Sequence, residues 1–329
     1  MALTNFSSGI SSFGVPQIGS GMIPPTFGNV YFVDPDNGSD QNAGTSMDRA
    51  FKTVAAAYAA CTTNNHDVIC LDAYTTHTLT SMLTVAKNRI HFVGLDGGGH
   101  LEDQRTKISL GVTTATTDVA AMTVTGTGCT FRNIKFINSN TLTQSVAVVQ
   151  DAGSDNVYMN CSFEAGGSAQ LTATGGCALL LQGDSSRFVQ CRIGEDTLPN
   201  TVANQVVLIQ KSATAQCKRN VFQNCLFRTY TSATTHVFVR VIADGDLDRD
   251  IIFDDCTFSN FYTGSDGALM AVAIATLTGF TSGVIRVKDC SFFPGITKVS
   301  AAASGANTGV SIVGTVPMAG TSSLAVTPI

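Results

Sequence analysis

Catalytic carboxylates are scarce in this chain. Glu102, Glu164 and Glu195 are its only glutamates in 329 residues. Glycoside hydrolysis generally needs two carboxylates across a groove, one to protonate the leaving oxygen and one to attack or to activate water. Glu164 and Glu195 each follow a copy of the repeat described below by a few residues, so they can neighbour each other on consecutive units. With Asp196 they form the best acidic cluster of the middle of the chain. The plainer expectation is that they are solvated turn residues.

The densest acidic run is DGDLDRD, with Asp244, Asp246, Asp248 and Asp250 alternating. Calcium wants several oxygen ligands, but the glycine and terminal glutamate of an EF-hand loop are absent. A solvated turn between strands at 237–242 and 251–253 is expected. The five histidines (His66, His77, His91, His100 and His236) are scattered, and none sits in a nucleophile motif. His91 falls in an apolar strand and reads as structural. No phosphate-cradling glycine motif occurs, the glycines at 97–99 marking only a turn. There is no Trp and only six Tyr for stacking sugar rings. No catalytic residue, metal site or cofactor is therefore expected, and the chain reads as a non-enzyme, with a polysaccharide lyase or hydrolase as the weaker alternative.

Composition narrows the classes further. Hydrophobic residues make up 44% and charged residues 13%, with a net charge of −5 and no basic block. A nucleic-acid surface would need clustered Lys and Arg. No apolar run reaches membrane-spanning length, and the first residues lack the basic and apolar regions of a secretory signal. A product made in the cytoplasm, binding neither nucleic acid nor membrane, is expected. Its ten cysteines lack paired metal-ligand spacing and follow the repeat, so they read as free core thiols.

The elements that would position these residues announce themselves as a repeat. Six segments share one template of aromatic or β-branched, any, Asn/Asp/Gln, Cys/Ile, any, Phe/Ile: FRNIKF (131–136), YMNCSF (158–163), FVQCRI (188–193), FQNCLF (222–227), FDDCTF (253–258) and VKDCSF (287–292). The fourth position steps through Ile134, Cys161, Cys191, Cys225, Cys256 and Cys290 at intervals of 27 to 34 residues. The sixth brings Phe136, Phe163, Phe227, Phe258 and Phe292 into a second column. Each segment reads as strand, bend and strand, with Asn133, Asn160, Gln190 and Asn224 lining the bend as an amide ladder. Asp255 and Asp289 continue that column where the bends meet solvent. Apolar strands follow at 146–149, 178–181, 206–209, 237–242 and 269–274, and less regular ones precede at 68–71, 79–85, 90–93 and 122–124. A β-sandwich has no reason to repeat one template at near-constant spacing. The predicted fold is all-β, a right-handed parallel β-helix (solenoid) with an N-terminal capping helix and an extended N-terminal arm.

That helix is expected over 47–61, capped by Ser46, with Phe51, Val54, Ala55, Tyr58 and Ala59 on one face. The segment VYFVDPDNGSDQNAGTSMDRAFKTVAAAYAAC (30–61) resembles the start of pectate-lyase-like right-handed β-helix proteins. In that family a strand, a loop and a capping helix precede the coils. Asp34, Asp36 and Asp40 match its loop and are expected to fix turns. The division expected is an anchoring arm at 1–29, the opening strand, loop and helix at 30–66, coils at 67–295, and a C-terminal cap or tail at 296–329 with a strand at 310–313.

Residues 1–27 mix small apolar clusters with Gly, Pro and Ser and carry no charge. An arm of this kind gains order by lying along a partner. Phe6, Phe13, Val15, Pro16, Ile18, Met22, Ile23, Pro24, Pro25 and Phe27 are its candidate contacts. Arm and rod together resemble β-helical virion proteins of tailed bacteriophages. The resemblance implies a non-enzymatic capsid decoration (cement) protein at the capsid surface. Its partners would be the major capsid protein and copies of itself, as a homotrimer. A tailspike or tail-fibre component that binds host-surface glycan is the alternative.

Overall fold

The computed structural model describes residues 11–12, 15–16, 28–95, 106–166, 168–173, 175–212, 216–262, 270–276, 282–293, 296–300, 309–314 and 316–317. Each template copy supplies two strands flanking a bend, as in Thr130–Arg132 and Lys135–Asn138, and the apolar segment after it supplies a third, Ala147–Asp151. Like strands of successive coils pair in parallel, giving sheets of ten, nine and eight strands among the described residues. The chain is a right-handed parallel β-helix, its like strands paired in parallel from coil to coil. Residues 79–85 divide at a bend into Thr76–Leu79 and Leu83–Val85, which belong to different sheets.

Register keeps the template aligned. Phe131 pairs with Tyr158, Tyr158 with Phe188, Phe188 with Phe222 and Phe222 with Phe253. With Phe92 these rings stack face to face, their centroids 4.6–5.1 Å apart. Such pairs add about 0.5–1.5 kcal/mol each beyond simple burial. The second column, with Phe227, Phe258 and Phe292 stacked at 4.6 and 4.7 Å, faces the same interior. Ile134, Cys161, Cys191, Cys225, Cys256, Cys290, Phe136 and Phe163 are buried with them.

The bend explains two template letters. Asn133, Asn160, Gln190, Asn224, Asp255 and Asp289 all have φ of 51–56°, the left-handed region that Asn and Asp tolerate best. Each N–H donates to a carbonyl of the next coil, Asn160 to Val189 and Asn224 to Asp254, for example. In the side-chain ladder Asn160 Nδ2 donates to Asn133 Oδ1 at 2.8 Å, and a shared backbone conformation unites the whole column. Asp255 and Asp289 are exposed. At the next position each thiol donates to the first template carbonyl of the preceding coil: Cys191 to Tyr158 at 3.4 Å, Cys225 to Phe188 at 3.3 Å, Cys256 to Phe222 at 3.5 Å. A thiol fits because it is small, apolar and still a weak donor.

The capping helix, α1, is shorter than expected. It spans Val54–Ala60, preceded by a 3-10 turn at Met47–Arg49. Thr53 caps it, accepting from Ala56 N, whereas Ser46 makes no side-chain cap. The intervening residues are extended because Phe51 bridges Val33 in parallel and belongs to the opening rung. Asp40 fixes the junction by accepting from the N–H groups of Lys52 and Thr53, both at 2.9 Å. Val54 and Ala57 then close the first coil as part of the core.

The three sheets continue past residue 295. Ile296–Ser300, Val310–Val313 and Val316–Pro317 each add a strand. Of the arm, Ser11–Ser12 and Val15–Pro16 form a two-stranded antiparallel pair. Phe6, Phe13, Ile18, Met22, Ile23, Pro24, Pro25 and Phe27 lie outside the described residues.

Candidate functional site

The acidic cluster is brought together in part. Glu164 follows Phe163 on the second sheet, and register places Gly194 and then Arg228 above it, since Phe163 pairs with Ile193 and Ile193 with Phe227. Arg228 lies back across Gly194. Its Nη2 meets Glu164 Oε1 at 2.5 Å, its Nη1 meets Asp196 Oδ1 at 2.9 Å, and its Nε donates to the Gly194 carbonyl at 3.1 Å. Lys135 Nζ holds the other oxygen, Glu164 Oε2, at 2.5 Å. The side chains are only 4–21% exposed, so the network sits largely out of water.

Gly194 makes this possible. Its φ is +107°, and a Cβ there would lie 2.0 Å from the Arg228 carbonyl oxygen. Glu195 stays apart and ties its own turn, accepting from Thr197 N at 2.6 Å. Sequence reasoning missed Arg228 and Lys135. The available signal was register, because Glu164 and Arg228 each follow the last template residue by one.

The other acidic groups fix turns. Asp34 accepts from the N–H groups of Asp36 and Asn37, which holds its carboxyl below the usual range despite burial. Asp246 is buried and accepts from Lys211 N and Ala243 N. Asp244 accepts from Ser282 N, while Asp248 and Asp250 pair with Arg249 and Arg286. The four point to different partners rather than to one centre.

Beside the ion network lies a cavity of about 20 Å³, bordered by Gln205, Thr229, Asn200 and His236. His236 Nδ1 faces Asn204 Oδ1 at 2.6 Å, and its Nε2 faces Thr229 Oγ1 at 3.1 Å. Both contacts suit the neutral ring, donating from Nδ1 and accepting at Nε2. Burial, then nearby Arg240, pushes its pKa down to about 3. His91 meets His66 nitrogen to nitrogen at 3.1 Å, and burial followed by His66 and Arg132 lowers its pKa to about 4. Burial raises the Cys70 and Cys177 thiols to about 12, so neither supplies a thiolate near neutrality.

A larger, open groove of about 590 Å³ runs across successive coils, bordered by Thr125, Gln150, Gln182, Gln210, Lys211 and Ser212. Its amides are already linked: Gln150 Nε2 donates to Gln182 Oε1 at 2.6 Å, and Thr123 Oγ1 donates to Gln150 Oε1 at 3.1 Å. Polar amides with a single cation suit a polar, extended ligand.

No known family and no curated protein matches the sequence. Solved structures do match by shape. Pectate lyase Pel9A is 15% identical with a TM-score of 0.58, over 86% of this chain and 68% of that one. A rhamnogalacturonan lyase is 12% identical at 0.59, over 87% and 73%. Pectin methylesterase from Aspergillus niger is 11% identical at 0.60, over 92% and 88%.

These neighbours define the class: a pectate-lyase-like parallel β-helix. At such identities the likeness establishes the fold. It also corrects the expectation of a non-enzyme. The neighbours, an alginate lyase from Paenibacillus among them, are named as enzymes acting on polysaccharides, and the fold gives no ground for setting this chain apart from them.

Proposed function

We propose that this chain is a surface component of a tailed-bacteriophage particle, a capsid decoration (cement) protein that binds the major capsid protein through its N-terminal arm. The observation that supports the reading is the pairing of a stack of parallel coils with an uncharged, Pro- and Gly-punctuated apolar segment before it in the sequence. Self-association as a homotrimer would match the rod to three-fold positions of a capsid. Deleting residues 1–27 tests the reading: the chain should no longer co-purify with particles, and retained association removes it.

A second reading is favoured by the groove at Gln150, Gln182 and Lys211 and by the neighbours' polysaccharide chemistry. In it the rod is a tailspike or tail-fibre component that engages a surface glycan. Cleavage would then be sought at Glu164, Asp196 and Arg228. Glycan-array binding lost on Gln182→Ala and Lys211→Ala supports this reading, and binding unchanged by both removes the groove from it.

A further inference from the structure

One coil of the stack carries polar atoms at two inward positions where its neighbours carry none. In the third sheet, register aligns Val85, Val124, Asp151, Leu181, Ile209 and Val241 in one column. All of these except Asp151 belong to the hydrophobic core. In the aromatic column of the first sheet, Tyr158 stands between Phe131 and Phe188 and adds a hydroxyl that they lack. The two exceptions lie on consecutive strands, Ala147–Asp151 and Val157–Met159.

Both side chains are fully buried. Asp151 Oδ1 accepts from Asn156 Nδ2 at 2.9 Å and from Gly153 N at 3.4 Å. Asp151 Oδ2 and the Tyr158 hydroxyl have no hydrogen-bond partner among the described residues. No cation is among the groups that act on Asp151 there. The titratable groups that feel its charge are Tyr158, Cys129 and Cys217, and a carboxylate opposes the ionisation of each. An ionised Asp151 would therefore be a buried anion with one bare oxygen and no counter-charge, a costly state. Adding a proton removes the charge and makes Oδ2 a donor. Burial accordingly pushes the carboxyl above its usual range, and Ser186, Asn156 and Gly153 offset this only in part.

We propose that the interior of this coil is a binding site for one proton, held on Asp151 Oδ2, and that the folded stack is strengthened in mild acid by holding it. Below the ordinary carboxylate pKa of 3.8 both folded and unfolded chains carry the proton, and the contribution is complete. As pH rises above 3.8 the unfolded chain ionises first, so stability falls until the folded carboxyl has also lost its proton. The buried histidines act in the opposite direction, so the effect is read as a difference between the native chain and a variant at Asp151.

The first measurement is a carbon-13 NMR titration of the full chain labelled at the aspartate carboxyls. The one signal missing from Asp151→Asn is that of Asp151, and its midpoint should lie above 3.8. Should Asp151→Asn fail to fold, Asp151→Val, which copies Val124 in the same column, serves for the assignment. The second measurement is urea stability of the native chain and the folded variant side by side from pH 4 to pH 8. The ratio of their unfolding constants should change in the native chain's disfavour as pH rises, by up to about tenfold per pH unit. A midpoint at or below 3.8, or stability curves that run parallel across the range, overturns the proposal.

Discussion

Arg228 and Glu164, sixty-four residues apart in sequence, meet at 2.5 Å by spanning the coil between them, and they do so over a glycine. Breaking a largely buried pair from one side strands the other charge, which typically costs about 3–5 kcal/mol. Arg228→Met is expected to lower unfolding free energy by about 3 kcal/mol in urea titration. Glu164→Gln combined with Arg228→Met should cost less than the sum of the singles, because the pair is removed together. Additive effects would mean the contact carries no coupling.

Gly194→Ala should destabilise by at least ~2 kcal/mol, since it adds a Cβ against the Arg228 backbone at positive φ. Gly111→Ala is the control. A Cβ there meets nothing within 4 Å, so its effect should stay within about 0.5 kcal/mol of zero. Equal effects at both sites would deny Gly194 its special place.

Stability should fall in mild acid through the buried histidines. His236 has a folded pKa of about 3 against the usual 6.5. Between those values the unfolded chain binds the extra proton, so its contribution is complete above pH 6.5 and is lost as pH falls towards 3. At pH 5 the loss is about 2 kcal/mol. His236→Gln should flatten the stability-versus-pH curve between 7.5 and 5, whatever it does to stability at neutrality. An unchanged slope would show that the ring protonates freely in the fold.

The alkaline side has the opposite sign. Cys70 and Cys177, raised from 9.0 to about 12, stay protonated in the fold while the unfolded chain ionises. Stability should therefore decline above pH 9, by about 1.4 kcal/mol per thiol at pH 10. Cys177→Ala should remove one such increment from the slope, and a flat profile from pH 8 to 10 would contradict the assignment.

Much of this was legible in the sequence because a stacked coil imposes one environment per template position. The Cys and Phe columns fell where the spacing put them, and the apolar third strands matched to within a few residues. Helix α1 came out short because Phe51, which fits a helical face by period, is recruited into the opening rung opposite Val33. The acidic cluster was half legible. Glu164 and Asp196 were named, but their cations Arg228 and Lys135 come from other coils, and only strand register brings them near. Function was least legible, since a self-supporting rod spends its repeated residues on its own interior and leaves few to mark a ligand.

The most direct test of the central proposal is the copy number of this chain relative to the major capsid protein in purified particles. A ratio near one, or another simple fraction set by capsid symmetry, is the result a decoration protein must give. A handful of copies per particle would place the rod on the tail, and its absence from particles would contradict both virion readings.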